Sequence, residues 1–400
     1  MSTADFQKMT ASLAAPNARE KGGAVPLVPS VDRVTILGAG KDAQAIACQC
    51  LSEGAEVTMF SAYGSELEPL KAAGAVNVRG DGPVGNYQID QEAVPSIRLT
   101  SELDGALAQA QVIFVTGPVL KQRTYSMVLA GHLRDGQILV LAPGRSLGAV
   151  EMAWYLRVGG NTARVSIVEP QALPWWVEKQ GSTLHLSSRG EAATGILPGG
   201  NQQVLTALKP YLPNSKAKTN VIQSGFADGS GLVDVPVLML GGPGMPPGGP
   251  ELPVGAKPLD EQITFRNLLG ANHLAVIQSL AEERRIVAAR WGVRDLPSDE
   301  EWLDVHAGAS NGSGARTVPS AEQAHALVRC AVIGSLVPLV SAAELADVPV
   351  PATRAMITLA CSVLGGDLLN AGRRLDTIGL ATKDLDGARR ALETIAGGGA

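Results

Sequence analysis

The stretch Arg33–Leu51, RVTILGAGKDAQAIACQCL, decides how the chain is read. A short β-branched and apolar run is followed by Gly38-Ala39-Gly40-Lys41-Asp42-Ala43, and then by residues with helical spacing. That is a G-x-G-x-x-A turn between a strand and a helix. Gly38 permits the tight turn, Gly40 lets backbone amides approach a pyrophosphate, and Ala43 keeps helix and strand close, so the helix N-terminus faces the anion. Glycines after strands are common, and the six residues alone say little. The strand before, the helix after and a second strand at Glu56–Ser61 complete the unit, and together they predict dinucleotide binding.

Working outward, the end of the second strand usually carries an acid that holds the ribose 2′-hydroxyl of NAD. Ser61 stands there, followed by Ala62 and Tyr63. Loss of the acid removes repulsion of a 2′-phosphate and tilts the choice between NAD and NADP toward NADP, although no Arg follows to clasp that phosphate. Asp42 reads as an N-cap whose charge would oppose the pyrophosphate if it pointed inward. Two further turns, Thr116-Gly117-Pro118 and Ala142-Pro143-Gly144-Arg145, fall at carboxyl ends of strands, where they would border the nicotinamide half of the cofactor.

The runs RVTILGAG, AEVTMFS, QVIFVTG, QILVLAP and RVSIVEP are strand-like, with the helical patterns EPLKAAG and SELDGALAQA between them. Near-continuous apolar strands alternating with helices predict an α/β, Rossmann-type, doubly wound parallel sheet. After about Thr219 the texture changes to apolar residues at three and four spacing, over Glu261–Trp291, Ala321–Leu345 and Lys383–Ile395, which predicts an all-helical C-terminal domain. The expected organisation is an N-terminal arm over 1–30, a dinucleotide-binding domain over 31–219 and a helical domain over 220–400. A Gly/Pro loop over 241–258, GGPGMPPGGPELPVGAKP, interrupts the last, as a flap over a site or a surface insertion.

Composition narrows the partners. With 400 residues, 45% hydrophobic and 18% charged, and a net charge of −5, the chain lacks the basic stripe that nucleic acid or an anionic membrane would require. No apolar run in the sequence reaches the ~18 residues of a membrane span, and the N-terminus lacks the order of a secretory signal. Cys48, Cys50, Cys330 and Cys361 are too few and scattered for a disulfide scaffold, and no His pairs with another His or a Cys at metal-ligand spacing. The expectations are a cytoplasmic address, no metal, a small-molecule substrate and, from the apolar excess of the C-terminal helices, a homodimer.

With these residues in hand, the chain resembles the opine dehydrogenases, including the octopine and nopaline enzymes. The resemblance runs in order from Val34 to Ile395: LGAG, VTGPV, LAPG leading to GAVE, IVEP, then SLAEERRIVAARWGV, SLVPLVSAAELADVPVP and GRRLDTIGL. It implies a dinucleotide domain, a helical domain and a cleft between them, in which NAD(P)H reduces the imine of an α-keto acid and an amino acid. It also implies a catalytic His near a Pro at the start of the helical domain, oriented by an Asp on a later helix. Here Asp234, in GSGLVDVPVL, stands in place of the His, and Ala331 in place of the Asp. An imidazole near ~6.5 is thereby exchanged for a carboxylate near ~3.9.

A lone carboxylate in so apolar a run demands a partner or a cleft. One reading gives Asp234 a raised pKa and an acid–base role; the other makes it salt-bridged or a helix cap. His273, in LGANHLAVIQSL, matches a substrate-contacting turn and is the second candidate catalytic group, though a lone His is more often structural. His132 and His306 read as solvent-side, His185 as strand-borne and His325 as a helix-face residue. Arg329 and the Arg284/Arg285 pair are candidates for a substrate carboxylate. Glu169, ending a strand, is a candidate for a substrate amine or the cofactor carboxamide. Trp175-Trp176 reads as a hydrophobic wall, core packing or an interdomain contact. The functional expectation is an NAD(P)-dependent oxidoreductase acting on a small polar, amino- or keto-acid-like substrate. The alternatives are an NAD(P)-binding lyase, hydrolase or dehalogenase using Asp234 or His273 without net redox, and a non-catalytic dinucleotide sensor.

Overall fold

The structure, a computed structural model, describes residues 31–241, 264–310, 314–380 and 384–397, with side chains to 391. The expected arm and nearly all of the Gly/Pro loop lie outside the described residues. Among the described residues two compact units emerge, one holding 31–144 and 149–221, the other 145–148 and those from 222 onward.

The first unit carries twelve strands: β1 (Arg33–Leu37), β2 (Glu56–Phe60), β3 (Ala75–Gly80), β4 (Gly85–Ile89), β5 (Ser96–Thr100), β6 (Val112–Thr116), β7 (Ile138–Ala142), β8 (Ser166–Pro170), β9 (Trp175–Gln180), β10 (Thr183–Ser188), β11 (Ala192–Leu197) and β12 (Ser215–Ala217). They form one sheet in the order β12-β11-β8-β7-β6-β1-β2-β5-β4-β3-β10-β9. The middle of it, from β8 through β1 to β5, is parallel. Val34 pairs with Val57 on one side and Val112 on the other. β6 and β7 are buried at every position, as strands covered on both faces must be. The chain goes from β1 to β2 on one side and later returns to β6 on the other, so the topological switch point, where such sheets bind ligands, lies at the carboxyl end of β1. The pairs β3–β4, β8–β11 and β9–β10 are antiparallel, a departure from the parallel sheet expected from the sequence.

The second unit is helical apart from isolated bridges. Its buried centre is the Ser230–Met239 helix, packed against the Ala271–Arg290, Asp299–Ala307 and Ala321–Ala331 helices. Small residues allow this. A Cβ on Gly229 would lie 2.4 Å from Trp302 Cδ1, and one on Gly231 2.6 Å from Leu336 Cδ2. The indole of Trp302 donates to Ala227 O at 2.7 Å, which fixes the ring against Gly229. From Ala321 to Ala346 the helix is continuous, and its 26 residues pass the length and composition test for a membrane span that the sequence reading denied any segment. It is a core helix: 78% of its apolar window is buried inside the unit. One turn of it, Val332–Leu336, is π-helical.

Substituting Gly229→Ala should lower unfolding stability by about 1–3 kcal/mol, because the new methyl meets a fixed ring rather than a movable chain end. Urea unfolding followed by tryptophan fluorescence measures it, and an unchanged midpoint would contradict the packing described.

Candidate functional site

The candidate nucleotide cradle is built from the carboxyl ends of β1, β2, β6 and β7. Gly38 adopts φ +119 and donates its N–H to Phe60 O at 2.8 Å. A Cβ there would lie 2.3 Å from the hydroxyl of Thr116, which itself donates to Leu37 O at 2.7 Å. At Gly40, by contrast, a Cβ would meet nothing within 4 Å. The Lys41–Ser52 helix starts there, and Gly40, not Asp42, is its N-cap, with no side chain capping it. Ala43 is buried against the sheet unit, as its place in the motif requires. Asp42 lies in the first turn, where burial pushes its carboxyl above the ordinary range and the charges of Lys41 and Arg189 oppose that rise. A carboxyl held toward its neutral form repels a pyrophosphate less.

The turns at the ends of β6 and β7 lie side by side. Pro118 caps the Val119–Leu129 helix, whose Gln122 amide donates both to Gly117 O at 3.2 Å and to Pro143 O at 2.9 Å, tying the two turns together. Ser61 ends β2, buried, with its hydroxyl donating to Glu66. Sequence reasoning missed Arg189, whose guanidinium stacks 3.5 Å from the Trp176 ring and whose charge bears on Asp42. Trp175 is buried beside Gly82. No spacing rule could find this, because Arg189 follows the β9–β10 hairpin, far beyond the motif in sequence, and only the folded sheet brings its charge to the helix start.

Glu169 is fully buried, with one oxygen accepting the Ala149 N–H at 2.7 Å and the other the Gln171 amide at 3.0 Å. Its carboxylate serves the start of the Gly148–Val158 helix, where negative charge is favoured. The expected reach to a substrate amine is therefore not the role its geometry expresses.

In the helical unit, Asp234 is 4% exposed, and Arg316 Nη1 donates to its Oδ1 at 2.5 Å. The same guanidinium also donates to the His306 carbonyl and lies 3.8 Å over the Phe265 ring. Of the two readings of the charge in the apolar run, the geometry expresses the salt-bridged one, with Arg316 as the partner. Ala331 is fully buried. His306 is buried rather than solvent-side, and His132 pairs with Asp104 at 2.6 Å.

His273 sits at the start of the Ala271–Arg290 helix, and its Nδ1 accepts the Gly270 N–H at 3.0 Å. Burial holds its pKa below the ordinary imidazole value. The ring is thus neutral near pH 7, with its proton on Nε2, an atom buried and without a protein acceptor among the described residues. Arg284 lies about three turns further along the helix, 1% exposed. Its Nη2 donates to Ser335 Oγ at 3.0 Å and Ser335 O at 3.2 Å, and Nη1 reaches the Gly225 and Phe226 carbonyls at 3.4 Å. Burial pushes it down to about 10, with Asp228 opposing, so it keeps its charge at neutral pH. Nε has no hydrogen-bond partner among the described residues, and Arg284 lines a small cavity with Ser146, Leu147, Phe226, Pro338 and Leu339. Arg329 caps the Pro351–Leu364 helix through Leu364 O at 3.2 Å, and Arg285 pairs with Asp299 at 2.5 Å. The structure thus gathers the cradle residues but leaves Asp234, His273, Arg284 and Arg329 as separate features of the helical unit.

No family model matches the chain. It is 24% identical to the opine dehydrogenase of Arthrobacter sp. (strain 1C) over 379 residues, covering 90% of this chain and 98% of that one. Among solved structures, octopine dehydrogenase with NADH and L-arginine superposes with a TM-score of 0.66 at 16% identity, covering 92% of this chain and 98% of that one. Yersinopine dehydrogenase with NADP+ bound gives 0.54 at 13% identity, covering 91% and 98%. The fold is that of the octopine dehydrogenases.

Asp234→Ala should destabilise the protein by about 3–5 kcal/mol, because it strands the buried Arg316. Asp234→Ala combined with Arg316→Leu should recover much of that loss, since both desolvated charges are then gone. Chemical denaturation of the two single variants and the double variant checks this; strict additivity would contradict a direct pair.

Proposed function

We propose that this opine dehydrogenase homologue is an NAD(P)-dependent oxidoreductase, moving a hydride to or from the reacting carbon of a small polar, amino- or keto-acid-like substrate. The reading is carried by the contrast between Gly38 and Gly40: one glycine is required by the protein's own atoms, the other faces open space at an uncapped helix start. That is the arrangement a pyrophosphate needs. Gly38, Gly40, Lys41 and Ala43, with Arg189 beside Asp42, would hold the phosphates, and Thr116, Gly117, Pro118 and Pro143 would border the nicotinamide half. A bound nicotinamide dinucleotide supplies or accepts the hydride. Its class is supported by the NADH and NADP+ complexes of the structural neighbours.

The protein's own contribution lies in charge and hydrogen bonding. His273, neutral with Nε2 as donor, polarises a substrate carbonyl or imine without carrying a net charge. Arg284, charged and with Nε unpartnered beside its cavity, receives a substrate carboxylate. Asp234 is read as the anchor of Arg316, which weakens the alternatives that use it as a nucleophile or base. Arg329 and Glu169 are read as helix-end partners. The exposed Ile286, Leu359 and Val363, on helices that pack together, suit a homodimer, and four unpaired cysteines suit the cytoplasm.

Titration of intrinsic fluorescence with NADH and NADPH, after the purified protein is checked for carried-over nucleotide, should give micromolar or tighter binding of at least one. Stoichiometric nucleotide oxidation against a panel of keto acids with amino acids should then follow, whereas binding without oxidation would favour a reaction lacking net redox. His273→Ala should lower kcat by about 10²–10³ with nucleotide affinity unchanged. Because burial lowers the His273 pKa, the neutral ring persists below its ordinary ~6.5, and the acid limb of the kcat profile should lie below that pH. An acid limb at or above it would contradict the assignment.

A further inference from the structure

Ser61 ends β2 without a charge, yet its hydroxyl brings one to the strand end. The hydroxyl donates to Glu66 Oε2 at 2.5 Å and accepts the Tyr63 N–H at 3.3 Å. Glu66 stands in the first turn of the Gly64–Ala73 helix, which follows β2. Its other oxygen lies 3.6 Å from Lys121 Nζ, on the Val119–Leu129 helix, which follows β6. β2 and β6 flank β1, so the pair spans the carboxyl end of β1 beside the Gly38 turn. Both side chains are partly open to solvent, at 38% and 34%.

A carboxylate at the end of the second strand of such a unit accepts the adenosine ribose 2′-hydroxyl and repels a 2′-phosphate. We infer that Glu66, positioned by Ser61, is that ribose-recognising acid, supplied from the following helix instead of the strand, and that it makes the chain selective for NAD(H) over NADP(H). The inference rests on the cofactor reading above. It also replaces the tilt toward NADP, which considered the strand-end residue alone.

The charges decide the direction. Ser61's single proton is committed to Glu66, which leaves the serine no donor for a phosphate. The facing groups are Lys121, the exposed Tyr63 and Tyr125, whose phenol is pushed up to about 12 by burial and by Glu66. Lys121 and Glu66 together are neutral. A phosphate dianion there would have one cation to pair with, already shared, and a fixed carboxylate against it.

The experiment is a pair of fluorescence titrations, with NADH and with NADPH, of the full chain and of Glu66→Gln, Ser61→Ala and Lys121→Ala. The wild type should bind NADH at least about tenfold tighter, and Glu66→Gln should narrow that ratio by roughly tenfold. Ser61→Ala should shift the ratio the same way by less, and Lys121→Ala should widen it. A wild type that prefers NADPH, a ratio unmoved by Glu66→Gln, or equal weakening of both nucleotides would overturn the inference while leaving the cradle intact. Binding of neither nucleotide to the wild type would overturn the cofactor reading and this inference with it.

Discussion

The sheet unit depends on one close approach. Thr116 donates its hydroxyl proton to Leu37 O, and the oxygen then occupies the space a side chain on residue 38 would need. Only glycine fits there, and it also adopts the positive φ that turns the chain out of β1. The constraint joins β1 to β6, the two strands on either side of the point where the sheet's winding reverses. Beyond that turn the Lys41–Ser52 helix begins at Gly40, with no side chain capping it and open space where a Cβ on residue 40 would stand. The cradle therefore follows from packing within the sheet, and a ligand is not needed to shape it.

The helical unit solves a different problem, how to keep charges in an apolar interior. Asp234 and Arg316 neutralise each other at 5% exposure each, with the aromatic face of Phe265 and a carbonyl completing the guanidinium's surroundings. Arg284 has no direct carboxylate partner among the described residues and relies on carbonyls. The π turn at Val332–Leu336 makes this possible. A π turn departs from the regular ladder, and here Ile333 O accepts Arg373 N–H, Gly334 O accepts Ser146 N–H and Ser335 O accepts Arg284. Five residues of irregular helix thus serve three separate segments of the unit.

Legibility followed the range of the interactions. The parallel core was readable because strands buried on both faces are apolar throughout, as in VIFVT and ILVLA. The cradle was readable because its parts are six consecutive residues with a strand and a helix around them. Asp234 was readable as an anomaly but not as a solution, since its partner lies 82 positions away in a segment without periodicity. The same holds for Arg189, which reaches the cradle through the β9–β10 hairpin. Asp42 was misplaced as a cap because a short polar residue at a helix start usually is one, whereas the open backbone at Gly40 takes that position.

Ser61 and Glu66 show why the end of a strand is an incomplete specificity rule. The rule names a position because a carboxylate there meets the ribose, yet what the ribose meets is a carboxylate, wherever its backbone starts. A serine at the strand end is short, buried and able to donate once, which suits it to fix a longer acidic side chain from the next helix. The charge then arrives with its orientation set by the serine and its far oxygen balanced by Lys121. Moving the acid off the strand trades a rigid attachment for one that a single hydroxyl controls, so on the inference drawn above the residue that sets cofactor choice and the residue that positions it would be different.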